Sequence, residues 1–298
     1  MKVVAWGKSD TGRKRDHNED NFLIDGTIGL YAVADGMGGH QGGETASRMA
    51  LEVMREQISV VADDFASAVL QEAEVEGRRT QPIRLDMLRS TEELPVIPAD
   101  ASEDTTDTAP SGPTPEPVRP ASIVMRTAAR QAGHAIFEAA LTDSALRGMG
   151  TTLTAMLYHD GRMHLAHAGD SRAFLFRDNG LRQLTEDHSW IWEQVKSGAM
   201  TEAEAKESKF RHIITRSVGF ERDVQMDHVG VPVQPGDCFL LCSDGMSNYI
   251  ENDELERLLA ATWYRRAPQL LIDLANERGG DDNITVVVVY IGNDASND

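Results

Sequence analysis

Apolar residues along the chain follow two patterns, one typical of strands and one typical of helices. Short apolar runs bounded by turn residues are typical of buried strands, and apolar positions three and four apart are typical of helices. The first pattern predicts strands over 2–8, 20–25, 28–34, 150–157, 162–168, 171–177, 180–185, 227–233, 237–243 and 283–291. The second predicts helices over 43–75, 121–146, 252–261 and 267–278, with short helices across 189–210. Pattern alone therefore predicts an α+β fold.

One stretch, residues 77–120, breaks both patterns. It holds eight of the eleven prolines, and no aromatic residue occurs between Phe65 and Phe137. Such a composition buries too little apolar surface to offset the entropy of ordering. It predicts a disordered insert inside a single domain over 1–292, and 293–298 is predicted to be a polar tail.

Charge and hydropathy exclude some classes of protein. The formal net charge is −19, whereas a nucleic-acid-binding protein normally presents a basic face. No run of 18 apolar residues is present, and the first residues match a strand better than a signal peptide. Cys238 and Cys242 lie along one predicted strand, too far apart for a disulfide, and are expected to be buried thiols. These features predict a cytoplasmic protein that binds neither nucleic acid nor membrane.

Acidic residues stand at the ends of five predicted strands. Asp35-Gly36 and Asp244-Gly245 each follow an apolar strand, while the other acids lie beside strand starts or ends at Glu19, Asp20, Asp170, Asp281 and Asp282. A single Asp-Gly is usually only a turn. Recurrence at five strand ends instead predicts one metal centre with oxygen ligands, which suits Mg²⁺ or Mn²⁺.

These stretches also occur in a recognisable order. They are Arg15 with Asn18-Glu19-Asp20, Asp35-Gly36-Met37-Gly38-Gly39, Gly150-Thr151-Thr152, Gly169-Asp170-Ser171-Arg172, Ser243-Asp244-Gly245 and Gly280-Asp281-Asp282-Asn283-Ile284-Thr285. The set resembles the type 2C, metal-dependent protein serine/threonine phosphatases in their compact bacterial form. The resemblance implies a four-layer α-β-β-α sandwich with two antiparallel sheets. It also implies hydrolysis of phosphoserine and phosphothreonine by a metal-activated water, with no covalent nucleophile.

The resemblance assigns a role to each matching residue. It implies two Mn²⁺ or Mg²⁺ ions in the core site and a third, weaker one. Asp35 would bridge the two ions, Asp244 and Asp282 would hold the first, and Glu19 and the Gly36 carbonyl would help hold the second, mostly through water. Asp20 would lie behind the metal ligands, and Asp170 would hold the third ion together with Asp244. Arg15 would bind the substrate phosphate. Asn283 would orient water or a strand end, and Thr151 and Thr152 would make structural hydrogen bonds. The catalytic set is thus Arg15, Asp35, Asp244 and Asp282.

Two positions depart from the pattern. Many eukaryotic members carry a histidine, proposed as general acid, where this chain has Met37, and Met cannot donate a proton. Water or another group must then protonate the leaving alkoxide, because His40 is not aligned with that role. His212 stands where an Asn is expected, near the end of residues 189–210, which match the family's mobile flap. His164 and His167 are expected to be structural, and His188 to fix a turn.

Three functions are consistent with these residues. The first is a phosphatase acting on phosphorylated proteins, with a Ser/Thr protein kinase as its opposing partner and a monomeric state. The second is a catalytically silent relative that serves as a binding module, which is disfavoured because every expected ligand position holds an acid. The third is a two-metal hydrolase of another phosphoester, and here the charge of −19 argues against nucleic acid. Sequence leaves open the substrates, the metal used in the cell and the role of the insert.

Overall fold

A computed structural model describes residues 1–39, 41–62, 120–210 and 212–293. The strands are β1 (Lys2–Asp10), β2 (Asp20–Asp25), β3 (Leu30–Met37), β4 (Gly150–Thr151), β5 (Leu153–His159), β6 (Arg162–Ala168), β7 (Arg172–Arg177), β8 (Gly180–Gln183), β9 (Asp227–Pro232), β10 (Cys238–Cys242) and β11 (Ile284–Gly292). The helices are α1 (Gln41–Val61), α2 (Pro120–Thr142), α3 (Trp190–Lys196), α4 (Glu202–Glu207), α5 (Asp244–Ser247), α6 (Asn252–Ala261) and α7 (Ala267–Glu277).

The predicted elements are present in the described part of the chain, and several of their boundaries shift. The helix predicted over 43–75 is observed as α1, and residues 63–119, which include the predicted insert, lie outside the described residues. The helix predicted over 121–146 ends at Thr142, because the Asp143 side chain accepts the amide hydrogen of Ala145 and starts a separate 3₁₀ turn. Strand β3 runs three residues past its predicted end, since Gly36 and Met37 pair with β4.

The strands form two antiparallel sheets. One has the order β1-β11-β10-β7-β8, and the other has the order β2-β3-β5-β6-β9 with β4 added beside β3. Helices α1 and α2 pack together on the outer face of the second sheet, and α6 and α7 cover the outer face of the first. This arrangement confirms the predicted four-layer α-β-β-α sandwich.

Alternate side chains of each central strand enter different layers of the core. In β10, Cys238 and Leu240 face the helices, while Phe239 and Leu241 face the opposite sheet. A strand covered on both faces has no solvent-facing side, so its sequence is apolar throughout. This explains why β3, β10 and β11 were recognisable as continuous apolar runs.

The expectation of buried thiols is borne out by the described residues. Cys238 and Cys242 are free, buried thiols, and burial raises the pKa of Cys242 to about 12. In that part of the chain no helix is long and apolar enough to cross a membrane.

Candidate metal centre

Antiparallel pairing brings the acidic strand ends to one edge of the sandwich. Where strands run in opposite directions, the end of one lies beside the start of the next. In the second sheet, Asp20 at the start of β2 lies directly opposite Asp35 near the end of β3. In the first sheet, the end of β10 lies beside the start of β11, which places Asp244 near Asp282. Acids from distant parts of the chain therefore converge.

The backbone around Asp35 is fixed by the two threonines. The Asp35 amide donates to Thr152 Oγ1 at 2.9 Å, and its carbonyl accepts from Thr151 Oγ1 at 2.9 Å and from the Thr152 amide at 2.8 Å. Gly36 packs against the first turn of α1, and a Cβ built there would lie 2.1 Å from the Gly43 carbonyl oxygen. Glycine at 36 is therefore required by this close packing.

Asn283 ties two acidic segments together. Its Oδ1 accepts the Glu19 amide hydrogen at 2.8 Å, and its Nδ2 donates to the carbonyls of Thr11 and His17, each at 2.9 Å. The neighbouring Asp282 accepts the Asn283 amide hydrogen at 2.8 Å. The loop before β2 and the loop before β11 thus hold a fixed relative position.

An open cavity of about 620 Å³ lies where the acidic strand ends converge. Its walls include seven of the eight predicted site residues, namely Arg15, Glu19, Asp35, Gly36, Asp170, Asp244 and Asp282. The eighth, Asp20, is not among the lining residues. It is buried behind them, where Oδ2 accepts from Ser243 Oγ at 2.8 Å and Thr285 Oγ1 at 2.7 Å.

Some groups in the cavity were not assigned a role from sequence. Lys14 pairs with Asp281 across the entrance, and the Lys14 side chain is 65% exposed. His212 and Ile214 enter from the segment that follows the flap. Charge on His212 acts to lower the pKa of Asp244, against the larger effect of burial. Lys14 and Asp281 stand next to predicted site residues, whereas His212 and Ile214 are far from the acidic motifs in sequence.

The clustered carboxylates resist ionisation in the absence of a counter-charge. Burial, followed by repulsion from neighbouring acids, raises the pKa of Asp35 and of Asp170 well above the usual value. Burial raises the pKa of Asp20 to about 7, although two hydroxyl hydrogen bonds oppose it. Burial and repulsion from Asp282 raise the pKa of Asp244 as well.

The donor set fits divalent cations. Buried oxygens Asp20 Oδ1, Asp170 Oδ1 and Asp244 Oδ1 have no hydrogen-bond partner, and such atoms call for a partner. Carboxylates and carbonyls are the ligands that Mg²⁺ and Mn²⁺ prefer. Within the described residues, no three acidic, histidine or cysteine side chains are gathered closely enough to hold an ion unaided. An ion here would keep part of its water shell, as Mg²⁺ usually does.

Known proteins share this sequence and fold. Residues 11–273 match the family model for protein phosphatase 2C. The chain belongs to the protein phosphatase 2C family. The serine/threonine phosphatase stp of Listeria monocytogenes is 32% identical over 287 residues, covering 95% of this chain and 93% of that protein. Protein phosphatase PhpP of Streptococcus pneumoniae is 30% identical over 293 residues, covering 94% of each.

Two solved structures extend the likeness to three dimensions. The crystal structure of the Mycobacterium tuberculosis serine/threonine phosphatase PstP/Ppp superposes with a TM-score of 0.73 at 29% identity, covering 98% of this chain and 99% of that one. The catalytic domain of PstP in complex with two manganese ions gives a TM-score of 0.69 at 28% identity, covering 98% and 99% of the two chains. The chain is a protein phosphatase of a metal-dependent family.

In this phosphatase, His188 joins the Asp170 loop to the segment that follows the flap. Its Nδ1 accepts the Gly169 amide hydrogen at 3.2 Å, and its Nε2 donates to Asp227 Oδ2 at 3.1 Å. Arg216 donates to the other Asp227 oxygen at 3.0 Å. The prediction that His188 fixes a turn is thus too local, because the contact to Asp227 spans 39 residues.

We expect the metal-free phosphatase to lose thermal stability as pH rises from about 4 to 7. Burial raises the folded-state pKa of Asp20 to about 7, above the usual value of 3.8 for an aspartic acid. A carboxyl of this kind stabilises the fold fully below the unfolded-state pKa and loses that contribution as pH rises through the folded-state pKa. The measurement is the melting temperature in EDTA at several pH values.

Other groups act in the opposite direction, so a variant is needed. Burial lowers the pKa of His167 to about 4, and its contribution is lost as pH falls. The difference in melting temperature between wild type and Asp20→Asn isolates the effect of Asp20. A difference that stays constant from pH 4 to 7 would contradict the assignment.

Proposed function

We propose that this chain removes phosphate from phosphoserine and phosphothreonine in proteins. The observation that carries the proposal is the position of Arg15, whose Nη2 lies 2.7 Å from Asp282 Oδ2 on the wall of the carboxylate cavity. A guanidinium beside metal-binding carboxylates suits a phosphate monoester, because ions and Arg together match its negative oxygens. Relatives over the whole chain carry the name serine/threonine phosphatase.

Each residue then has a defined task. Asp35, Asp244, Asp282, Glu19 and the Gly36 carbonyl would hold two ions, and Asp170 with Asp244 would hold a third. Divalent ions supply Lewis acidity, which lowers the pKa of water and offsets phosphoryl charge. Arg15 has five N–H donors, so its bond to Asp282 leaves donors for the substrate.

The remaining residues position these groups or limit the chemistry. Asp20, with its two hydroxyl partners, supports β2 behind Asp35, and Asn283 keeps Glu19 beside Asp282. Met37 lines the cavity and has no proton to donate. The leaving alkoxide therefore takes its proton from water or from another group.

Hydrolysis of a phosphothreonine peptide tests the proposal. We expect phosphate release with Mn²⁺, none with EDTA, and a loss on the order of 10³-fold in Asp244→Asn assayed with Mn²⁺. Asp178→Asn makes the same chemical change on an exposed turn and should match wild type. Folded protein that binds Mn²⁺ but hydrolyses only other phosphoesters, with no competition from the peptide, would overturn the assignment to phosphoproteins.

The cellular setting is part of the same proposal. A phosphatase of this kind acts on the products of a Ser/Thr protein kinase, and we place it in the cytoplasm as a monomer. We also propose that 1–292 is one catalytic domain in which residues 77–120 have no catalytic role. Replacing residues 80–118 with a short linker should leave peptide turnover unchanged, and a folded but inactive product would refute this.

A further inference from the structure

A second cavity adjoins the metal centre on the flap side. It has a volume of about 790 Å³, and Asp170 and Asp244 line both cavities. Helices α3 and α4 form one wall, while α5 and the start of α6 form the other. We call it the flap cleft. Because the two cavities share Asp170 and Asp244, a polypeptide whose phosphorylated residue lies at Arg15 can continue into the cleft.

The charge of the flap cleft is strongly one-sided. Its described lining residues include six carboxylates and one guanidinium, that of Arg172. Arg172 is already committed, because it donates to Asp187 through Nε at 2.9 Å and Nη2 at 2.7 Å. Ions bound at Asp170 and Asp244 would offset those two acids. The acids farther along, Glu202 and Asp253, are exposed and keep the cleft negative.

The apolar side of the flap cleft is suited to a long side chain. Ile191, Trp192, Val195 and Ile250 contribute to its lining. Lys and Arg side chains pack their aliphatic stems on such surfaces and keep the charge at an acidic rim. Trp192 also offers an aromatic face to a cation.

One buried donor in the cleft has no partner. The Trp192 indole Nε1 is inaccessible to solvent and makes no hydrogen bond within the described residues. A buried indole N–H normally finds an acceptor. Because the atom is covered in this structure, the carbonyl of a peptide lying in the cleft reaches it only if the Trp192 ring turns toward the cleft.

Resting on the proposed function, we infer that the flap cleft binds the segment flanking the phosphorylated residue and selects substrates with Lys or Arg there. The catalytic cavity carries the cations Lys14 and Arg15, which pair with Asp281 and Asp282. With divalent ions bound beside them, positive charge would gather at the phosphate, while the flap cleft would stay negative. Acidic flanking residues are disfavoured in the cleft by repulsion from the same carboxylates.

Matched phosphothreonine peptides test this inference. Peptides carry two Arg, two Gln or two Glu, placed either two and three residues before the phosphothreonine or two and three after it. For one of these placements, we expect kcat/KM with Arg to exceed kcat/KM with Gln about fivefold, a typical effect of exposed charge pairs. The Glu peptide should be the poorest, and 0.5 M NaCl should reduce the differences by screening.

Variants of the cleft acids test whether the preference for basic peptides arises in the flap cleft. Glu202→Lys/Asp253→Lys should reverse the order, so that the Glu peptide exceeds the Arg peptide. Glu56→Gln/Glu138→Gln removes two exposed acids on α1 and α2 and should retain the wild-type order. Reversal of specificity cannot result from simple loss of folded protein.

The outcomes separate this inference from the proposed function. Equal kcat/KM for the Arg, Gln and Glu peptides at both placements, with all of them hydrolysed, overturns the inference and leaves the function intact. So does a preference that survives unchanged in Glu202→Lys/Asp253→Lys. Failure to hydrolyse any phosphothreonine peptide, while p-nitrophenyl phosphate is hydrolysed, overturns the proposed function and the inference with it.

Discussion

Replacing Asp35 with Asn is expected to abolish turnover and to stabilise the metal-free protein. Asp35 lies opposite Asp20 on β2, and repulsion from the other acids of the site adds to the cost of burying its charge. An amide of the same shape removes that cost, so the metal-free fold gains stability. The same change weakens ion binding and lowers kcat on the order of 10³-fold.

Melting temperatures measured in EDTA and in excess Mn²⁺ test both the gain in metal-free stability and the loss of ion binding. In EDTA at pH 8, Asp35→Asn should melt above wild type by about 2–4 °C for each kcal/mol gained. Excess Mn²⁺ should raise the melting temperature of wild type, since a ligand that binds only the folded state stabilises it, and should raise that of the variant much less. Asp178→Asn serves as the control on an exposed turn. A variant that melts below wild type in EDTA would show that Asp35 supports the fold independently of metal.

Sequence predicted the parts of this site that short motifs carry. Apolar runs located the central strands because strands buried on both faces have no polar alternation to obscure them. Asp-Gly steps located Asp35 and Asp244 because close packing excludes any side chain at the following residue. A Cβ at Gly245 would lie 2.0 Å from the Asn283 carbonyl oxygen.

The rest depends on contacts between distant segments, which no local pattern records. Nothing in the sequence around Asp227 marks it as the partner of His188 and Arg216. Trp192 lines the flap cleft, and only the fold places it in one cavity with Ile250 and Asp253. Likewise, His212 was noticed only as a departure from a family pattern, and its place on the cavity wall needed the fold.

Asn283→Ala is expected to cost both fold stability and metal affinity. The Asn283 side chain is buried and makes three hydrogen bonds, to Glu19, Thr11 and His17. Each such bond contributes about 1 kcal/mol, so truncation should cost about 3 kcal/mol. For a chain of this size, that lowers the melting temperature by roughly 6–12 °C. Gln269→Ala truncates an amide side chain on the exposed face of α7 and should lower the melting temperature far less.

The metal readout distinguishes positioning from general destabilisation. Asn283 is not among the residues that line the catalytic cavity, but it sets the distance between the Glu19 and Asp282 segments. Residues that orient metal ligands typically account for 10–100-fold in metal affinity. Below the melting transition, we therefore expect Asn283→Ala to need about 10-fold more Mn²⁺ for half-maximal activity and to recover most of kcat at saturating Mn²⁺. If Glu19 and Asp282 moved apart, weaker metal binding should follow directly. A variant that melts at a lower temperature but needs no more Mn²⁺ would therefore mean that Asn283 supports the loops without positioning the acids.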